Sequence, residues 1–387
     1  MKTLILAVSL ALTLPAARAA LTIPSDGSDG VFNPAASVEV DLSLAPTGTW
    51  DANNAANAGK GIYDAAKWAV VFKFSSINIP AGVTVTFKNH PSRAPVVWLV
   101  SGNVTIAGTV NLNGRQGTSN LSLATIPAEP GPGGFRGGAY YNSAGGGGFG
   151  PGGALLVGSG NSAYGNVRLL PLIGGSGGAG TSLGGSGGAG GGAILIAAPT
   201  VISITGGVFA LGANGFFSGT AGSGGAIRVV AEQINGNGSI SVFGSNANSG
   251  RIRLETSSAF TGVTSNPTTP ATLVANPPVI FQATDAPTVR VISIDGVAFP
   301  AEPLAAVGNA PADQIVNKGS TPITVLVQTT NFATNGAVQV RDVGQFGPAT
   351  WRPATLVAGG TYASATWSVS GVFPAGYTTL QAKATVP

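Results

Sequence analysis

The chain has 387 residues, of which only 8% are charged, with 60 glycines, one histidine and no cysteine. That composition excludes a disulfide-stapled scaffold and a zinc site built from Cys or several His. The formal net charge of +4 falls to +2 if a leader carrying Lys2 and Arg18 is removed, and no Lys/Arg run is interleaved with aromatics, so no nucleic-acid partner is expected.

Lys2 precedes an uncharged apolar stretch from Leu4 to Leu14, and Ala17-Arg18-Ala19 fits the small-x-small rule for cleavage. Residues 1–19 are therefore expected to be a signal peptide, and the mature chain to be secreted or held at the cell surface. The run is too short to span a bilayer and is broken by Pro15. Every later apolar run is cut by Gly, Pro or a charge, so no transmembrane segment is expected.

Residues 20–64 read as an irregular N-terminal cap. The stretch Asn53 to Lys67 is rich in Ala and Asn, but Gly59 and Gly61 would each cost about 1 kcal/mol in a helix interior. A loop or a short capping helix is expected there.

From residue 65 to 263 strand signals are dense. Ile77-Asn78-Ile79-Pro80-Ala81-Gly82-Val83-Thr84-Val85-Thr86-Phe87 alternates apolar and polar residues, the period of a strand with one buried face. Val96 to Val100 leads through Gly102 to Val104-Thr105-Ile106, then Gly108 and Val110-Asn111-Leu112. The same grammar returns from Ala193 to Leu211 and from Ala226 to Val242, and Arg251 to Leu254 opens one more unit. Each unit is three short strands separated by Gly or Asn corners, residues that tolerate the positive φ of sharp turns. Ile194, Ile227 and Ile252 occupy equivalent places. One such unit cannot bury its inward side chains alone, so stacked neighbours are expected.

Between Gly131 and Gly192 lie 27 of the 60 glycines, enough to break the pattern. The stretch includes the heptapeptide Gly-Gly-Ser-Gly-Gly-Ala-Gly twice, at 174–180 and 184–190. Two readings stay open: a flexible loop, because Gly pays a large ordering entropy, or extended polyglycine-II-like segments packed on the body of the fold. Beyond a Pro-containing linker at 264–278, strands centred on Val289–Ile294, Ile323–Gln328, Val338–Arg341, Ala363–Val369 and Thr379–Thr385 suggest a small antiparallel sandwich over 279–387. Asp295-Gly296 and Asn335-Gly336 supply its turns.

Through Ile79-Pro80-Ala81-Gly82-Val83-Thr84-Val85, the Gly102 to Gly114 unit and Gly190-Gly191-Gly192-Ala193-Ile194-Leu195-Ile196, the chain resembles exported bacterial glycine-rich β-helix proteins of the pectin-lyase-like architecture. The resemblance covers roughly 65 to 255. It implies an all-β chain, a right-handed parallel β-helix followed by an immunoglobulin-like sandwich, on a scaffold that hosts polysaccharide lyases and hydrolases as well as adhesins and surface fibres.

Enzymes of that architecture rely on clustered carboxylates. Here no Asp occurs between Asp64 and Asp285, and the repeat region carries only Glu129, Glu232 and Glu255. Glu232 and Glu255 could stack as a pair, but each follows a strand and fits an exposed corner better. His90 has no orienting carboxylate nearby in sequence and reads as a solvated loop residue. No catalytic residue, metal ligand or cofactor is assigned. The Gly-rich repeats match G-x-G-x-x-G literally, yet no helix or ribose-binding acid follows. The one binding hint is aromatic: Phe135, Tyr140, Tyr141 and Tyr164, with Arg136, could stack on sugar rings or on a protein. The expected function is a non-catalytic structural or adhesive protein at the cell surface, able to self-associate into filaments. A carbohydrate-binding or polysaccharide-degrading protein is the alternative.

Overall fold

The computed structural model describes residues 20–118, 128–137, 167–178, 185–216, 219–244, 249–298, 322–344, 351–372 and 378–386. The expected leader, and Tyr140, Tyr141 and Tyr164, lie outside the described residues.

The fold is all-β. Its first sixteen strands are β1 (Gly30–Phe32), β2 (Val38–Asp41), β3 (Ile62–Asp64), β4 (Ala69–Ile79), β5 (Thr84–Lys88), β6 (Val96–Val100), β7 (Val104–Ile106) and β8 (Thr109–Asn111), then β9 (Ala193–Ala197), β10 (Val201–Ile204), β11 (Gly207–Phe209), β12 (Ala226–Asn235), β13 (Ser239–Ser241), β14 (Arg251–Thr261), β15 (Thr264–Asn266) and β16 (Ala271–Leu273). In the first 65 residues the described helical structure amounts to two single turns of 3₁₀ helix, Leu42–Leu44 and Ala55–Asn57. The second falls in the Ala/Asn-rich stretch, where Gly59 and Gly61 adopt positive φ.

The repeat units lie side by side in parallel register. Val70, Val96, Ile194, Ile227 and Ile252 face one another across successive ladders. A second, wholly parallel sheet runs β15-β13-β11-β8-β5-β2. Two of its strands and three of the first sheet's come from stretches read as cap or linker: β2 pairs with β5 and β15 with β13 in the second sheet, and β1 and β3 pair with β4 and β16 with β14 in the first.

The expected right-handed β-helix is corrected by the first sheet. Its hydrogen-bonded path, β10-β7-β4-β6-β9-β12-β14-β16, returns on itself through a β10–β12 pairing, so β4, β6, β9, β12, β10 and β7 form a closed six-strand parallel ring. The cause is the length of β4 and β12. β4 pairs with β6 over Val70–Phe74 and with β7 over Ile77–Ile79. β12 pairs with β9 over Ala226–Val230 and with β10 over Gln233–Asn235. Neither junction, Ser75-Ser76 nor Glu232, carries a glycine corner, so the strand continues through the bend instead of ending there.

Inside, Val70, Phe72, Phe74, Val96, Trp98, Ile194, Ile196, Ile227, Val229 and Leu254 form one continuous buried core. Phe72 stacks on Phe74 with centroids 5.3 Å apart, and Trp98 meets Phe74 edge-on. The opposite face is buried as well: Val71, Val97, Leu99, Leu195, Ala197 and Val230 are covered by Leu21, Ile23, Val274, Ile280 and Phe281. Strands buried on both faces read as unbroken apolar runs, as Val96–Val100 and Ala193–Ala197 do.

The glycine-rich region supports the ordered reading wherever it is described. Extended segments around residues 131–137, 173–178, 185–192 and 219–225 bond to one another through their backbones. Gly174 N donates to Gly133 O (2.7 Å), Gly175 N to Gly191 O (2.7 Å), Gly191 N to Ser223 O (3.0 Å) and Gly190 N to Phe135 O (3.0 Å). Side chains would block these approaches. A Cβ at Gly174 would lie 2.6 Å from Gly191 O and 2.8 Å from Gly133 O. The two equivalent serines of the heptapeptides fill the gaps, with Ser176 N bonding Ser223 Oγ and Thr118 N bonding Ser186 Oγ, each at 2.7 Å. Backbone-to-backbone bonding thus takes the place of apolar burial in holding these segments.

The C-terminal part is antiparallel: β17 (Thr288–Ile294), β18 (Val297–Ala298), β19 (Ile323–Thr330), β20 (Ala337–Gly344), β21 (Trp351–Pro353), β22 (Thr355–Leu356), β23 (Ala365–Gly371) and β24 (Thr378–Thr385). They form sheets β18-β17-β19-β23-β22 and β21-β20-β24, whose facing residues, including Val325, Val327, Val340, Trp367 and Val369, make one core. Asp295-Gly296, both at positive φ, close the β17–β18 hairpin as the Asp-Gly signal implies.

Candidate functional site

The sequence places Glu129 alone in a glycine-rich stretch, yet the fold brings two arginines and an asparagine to it. Arg93 Nε donates to Glu129 Oε1 (2.8 Å) and its Nη2 to Oε2 (3.4 Å). Arg136 Nε donates to Oε2 from the other side (3.0 Å). Asn89 Nδ2 reaches both Glu129 Oε1 (3.2 Å) and the Pro130 carbonyl (2.8 Å).

The loop between β5 and β6 positions the first pair. Arg93 sits at φ +53, a region costly for a residue with a side chain. It is held there because its N–H bonds His90 O (2.8 Å), its carbonyl accepts from Gly133 N (2.6 Å), and its side chain is only 9% exposed. The loop is stiffened further by His90 and Ser92. Ser92 N donates to His90 Nδ1 (3.1 Å), so Nδ1 is an acceptor and the Ser92 hydroxyl at 2.8 Å is its second donor. His90 stacks on Tyr63 with ring centroids 4.0 Å apart. It is a half-buried, packed ring, which corrects its reading as a solvated loop histidine.

Two cations on one carboxylate set the electrostatics. Burial alone would raise the Glu129 pKa, but the Arg93 and Arg136 guanidinium groups and the Asn89 amide outweigh it and hold the carboxyl below its ordinary range. A carboxylate so held neither carries a proton to donate nor has basicity to spare near neutral pH. Chemically the arrangement is a clamp: it ties the β5–β6 loop to the glycine segments 128–137.

Phe135 and Arg136, two of the five residues proposed for binding, are both half-buried. Phe135 contributes its backbone N–H to Gly175 O (2.9 Å), and Arg136 its side chain to Glu129. Arg93 was missed, since an isolated arginine in a loop has no local pattern linking it to a glutamate 36 residues away. Glu255 was misplaced: it lies within β14, 5% exposed, opposite Val230 and not Glu232. It accepts from Arg228 Nε (2.7 Å) and Arg253 Nε (2.6 Å), a buried ion triad in place of an exposed corner. Among the described residues there is no group of three or more His, Cys, Asp or Glu able to hold a metal ion. No helix among them is long and apolar enough to cross a membrane.

Comparison with protein-family models, with curated proteins and with solved structures finds no match to this chain. Together with the closed strand ring, that result overturns the resemblance to pectin-lyase-like β-helix proteins carrying an immunoglobulin-like domain.

Proposed function

We propose that this chain is a non-catalytic structural or adhesive protein of the cell exterior. In this reading the parallel strands and glycine segments form a rigid body, and the antiparallel sheets form a terminal module. The observation that carries it is the treatment of the carboxylates in the repeat region. Glu129 and Glu255 are each bridged by two arginines, and the third, Glu232, sits at the irregularity in β12 where the register with β14 shifts. Cleavage of a glycosidic bond needs two carboxyl groups of different protonation about 5–10 Å apart across an open face. Carboxylates committed to arginine pairs serve cohesion instead.

The test is incubation of the purified chain with a panel of acidic and neutral polysaccharides, following viscosity and new reducing ends. No depolymerisation is expected. Cleavage that disappears in Glu129→Gln, with the melting curve retained, would replace this reading with an enzymatic one.

A further inference from the structure

One column of outward-facing residues changes character along the first sheet. Across successive ladders it runs Val71, Val97, Leu195, Arg228, Arg253. Three apolar side chains are followed by two arginines at the same register. Arg251 and Glu255, two residues to either side of Arg253 in β14, share that face, because alternate residues of a strand point the same way.

This face is not open solvent. Arg228 is 2% exposed and Glu255 5%, and the side chain of Arg253 is 20% exposed. The face carries three guanidinium groups against one carboxylate, an excess of two positive charges, and of the three Arg228 and Arg253 pair with Glu255. The Nε atoms of Arg228 and Arg253 both go to Glu255 Oε1, and Arg253 Nη1 reaches Val167 O at 3.5 Å. Arg228 Nη1 and Arg251 Nη1 are buried with no hydrogen-bond partner. A buried donor of a charged group left without a partner is costly, and an apolar residue such as the Leu195 of the preceding strand would avoid that cost. Arg251 faces Ala226, two residues before Arg228, so the two arginines are diagonal neighbours across one ladder. Long side chains at such positions can converge on a common group.

We propose that the Arg228, Arg251 and Arg253 face binds an oxyanion, the shared chemistry of phosphate, sulfate and carboxylate groups. Its oxygens accept from the two unpartnered Nη1 atoms and balance the excess charge. The guanidinium fork suits this role, since it offers several N–H donors in one plane to several oxygens. Half-buried Arg251 and Arg253, on the β14 side, provide the approach. This proposal is independent of the clamp at Glu129.

The test is calorimetric titration of the full chain with sodium phosphate, sodium sulfate and sodium acetate, each against sodium chloride at matched ionic strength. Saturable binding of at least one of the three is expected, and which one binds names the ligand class. Arg251→Gln should weaken it about ten- to a hundredfold, the loss of one or more charge-assisted bonds, with unchanged circular dichroism. Arg228→Met should abolish binding, and because it also cuts one of the two ties to Glu255 it should lower the melting temperature; Arg251→Gln leaves both ties in place and carries the test. Heats indistinguishable from chloride would overturn the proposal. So would equal affinity in wild type and Arg251→Gln.

Discussion

Replacing Gly174 by Ala tests whether the glycine segments are a packed array. The new Cβ would lie 2.6 Å from Gly191 O and 2.8 Å from both Gly133 O and Gly134 Cα, where ordinary contact begins at about 3.4 Å. Two neighbouring segments must therefore each retreat by about 0.6–0.8 Å. Both oxygens are in use: Gly191 O accepts from Gly175 N and Gly133 O from Gly174 N, each at 2.7 Å. The obstacles are backbone atoms, so no side-chain rotation relieves them. Straining or breaking two buried backbone hydrogen bonds, at about 1–3 kcal/mol each, predicts a loss of about 2–5 kcal/mol. The matched control is exposed Gly48, whose added Cβ would make an ordinary 3.4 Å contact with Ile62 Cγ2. Gly48→Ala should stay within about 0.5 kcal/mol of wild type. Urea unfolding followed by far-ultraviolet circular dichroism measures both. In a solvated loop, Gly→Ala would be neutral or stabilising by about 0.4–1 kcal/mol, the opposite sign. A Gly174→Ala midpoint equal to that of Gly48→Ala would refute the packed array.

Asp29 is 4% exposed and accepts from Asn54 Nδ2 (2.6 Å), Gly59 N (3.0 Å), Gly61 N (3.2 Å) and Lys73 N (2.7 Å). Asp29→Ala takes the Asp29 carboxylate from all four donors, of which Asn54 Nδ2 keeps a long bond to Asn57 O (3.4 Å), and should cost about 3–6 kcal/mol, less than four full penalties because water can follow. A loss under about 1 kcal/mol in denaturant melts would show that the cap does not depend on it. Acid should also destabilise the fold. Burial raises the Asp26 pKa, but Ser28 and Lys73 bring it down to about 2, and Asp41 and Glu129 are likewise held below their ordinary values. For depressed carboxylates the stability is fully present above the unfolded values, the highest near 4.5 for Glu, and is lost as pH falls through the folded ones. The melting temperature should fall steadily below about pH 4.5 and less steeply in Glu129→Gln; a flat profile down to about pH 3 contradicts this. Finally, residues 279–387 have their own core around Val325, Val340 and Trp367, and the isolated fragment should melt cooperatively. Aggregation without a transition would show that it depends on the parallel part.

Strand identity was legible in the sequence, since alternation of period two and β-branched runs are local properties. The positions of β4, β6, β9, β12 and β14, their in-register isoleucines, and the cores of β17, β19, β20, β23 and β24 follow from them. The lack of cysteine ruled out disulfide staples, but flexible and packed readings of the glycine segments stayed open in the sequence, and the tight backbone contacts at Gly174 and Gly191 decide for packing. Closure of the ring was decided by tertiary structure, because it depends on β4 and β12 each carrying on through a bend to a second partner, and nothing local marks a bend without glycine. The covering of Val71, Val97 and Leu195 by Leu21, Ile23 and Ile280 joins residues that lie far apart along the chain, beyond the reach of any periodicity. The same holds for the ion clusters. A lone glutamate looks solvated in a sequence, and only long-range chain closure delivers Arg93 and Arg136 to Glu129, or Arg228 and Arg253 to Glu255, converting scattered charges into buried ties.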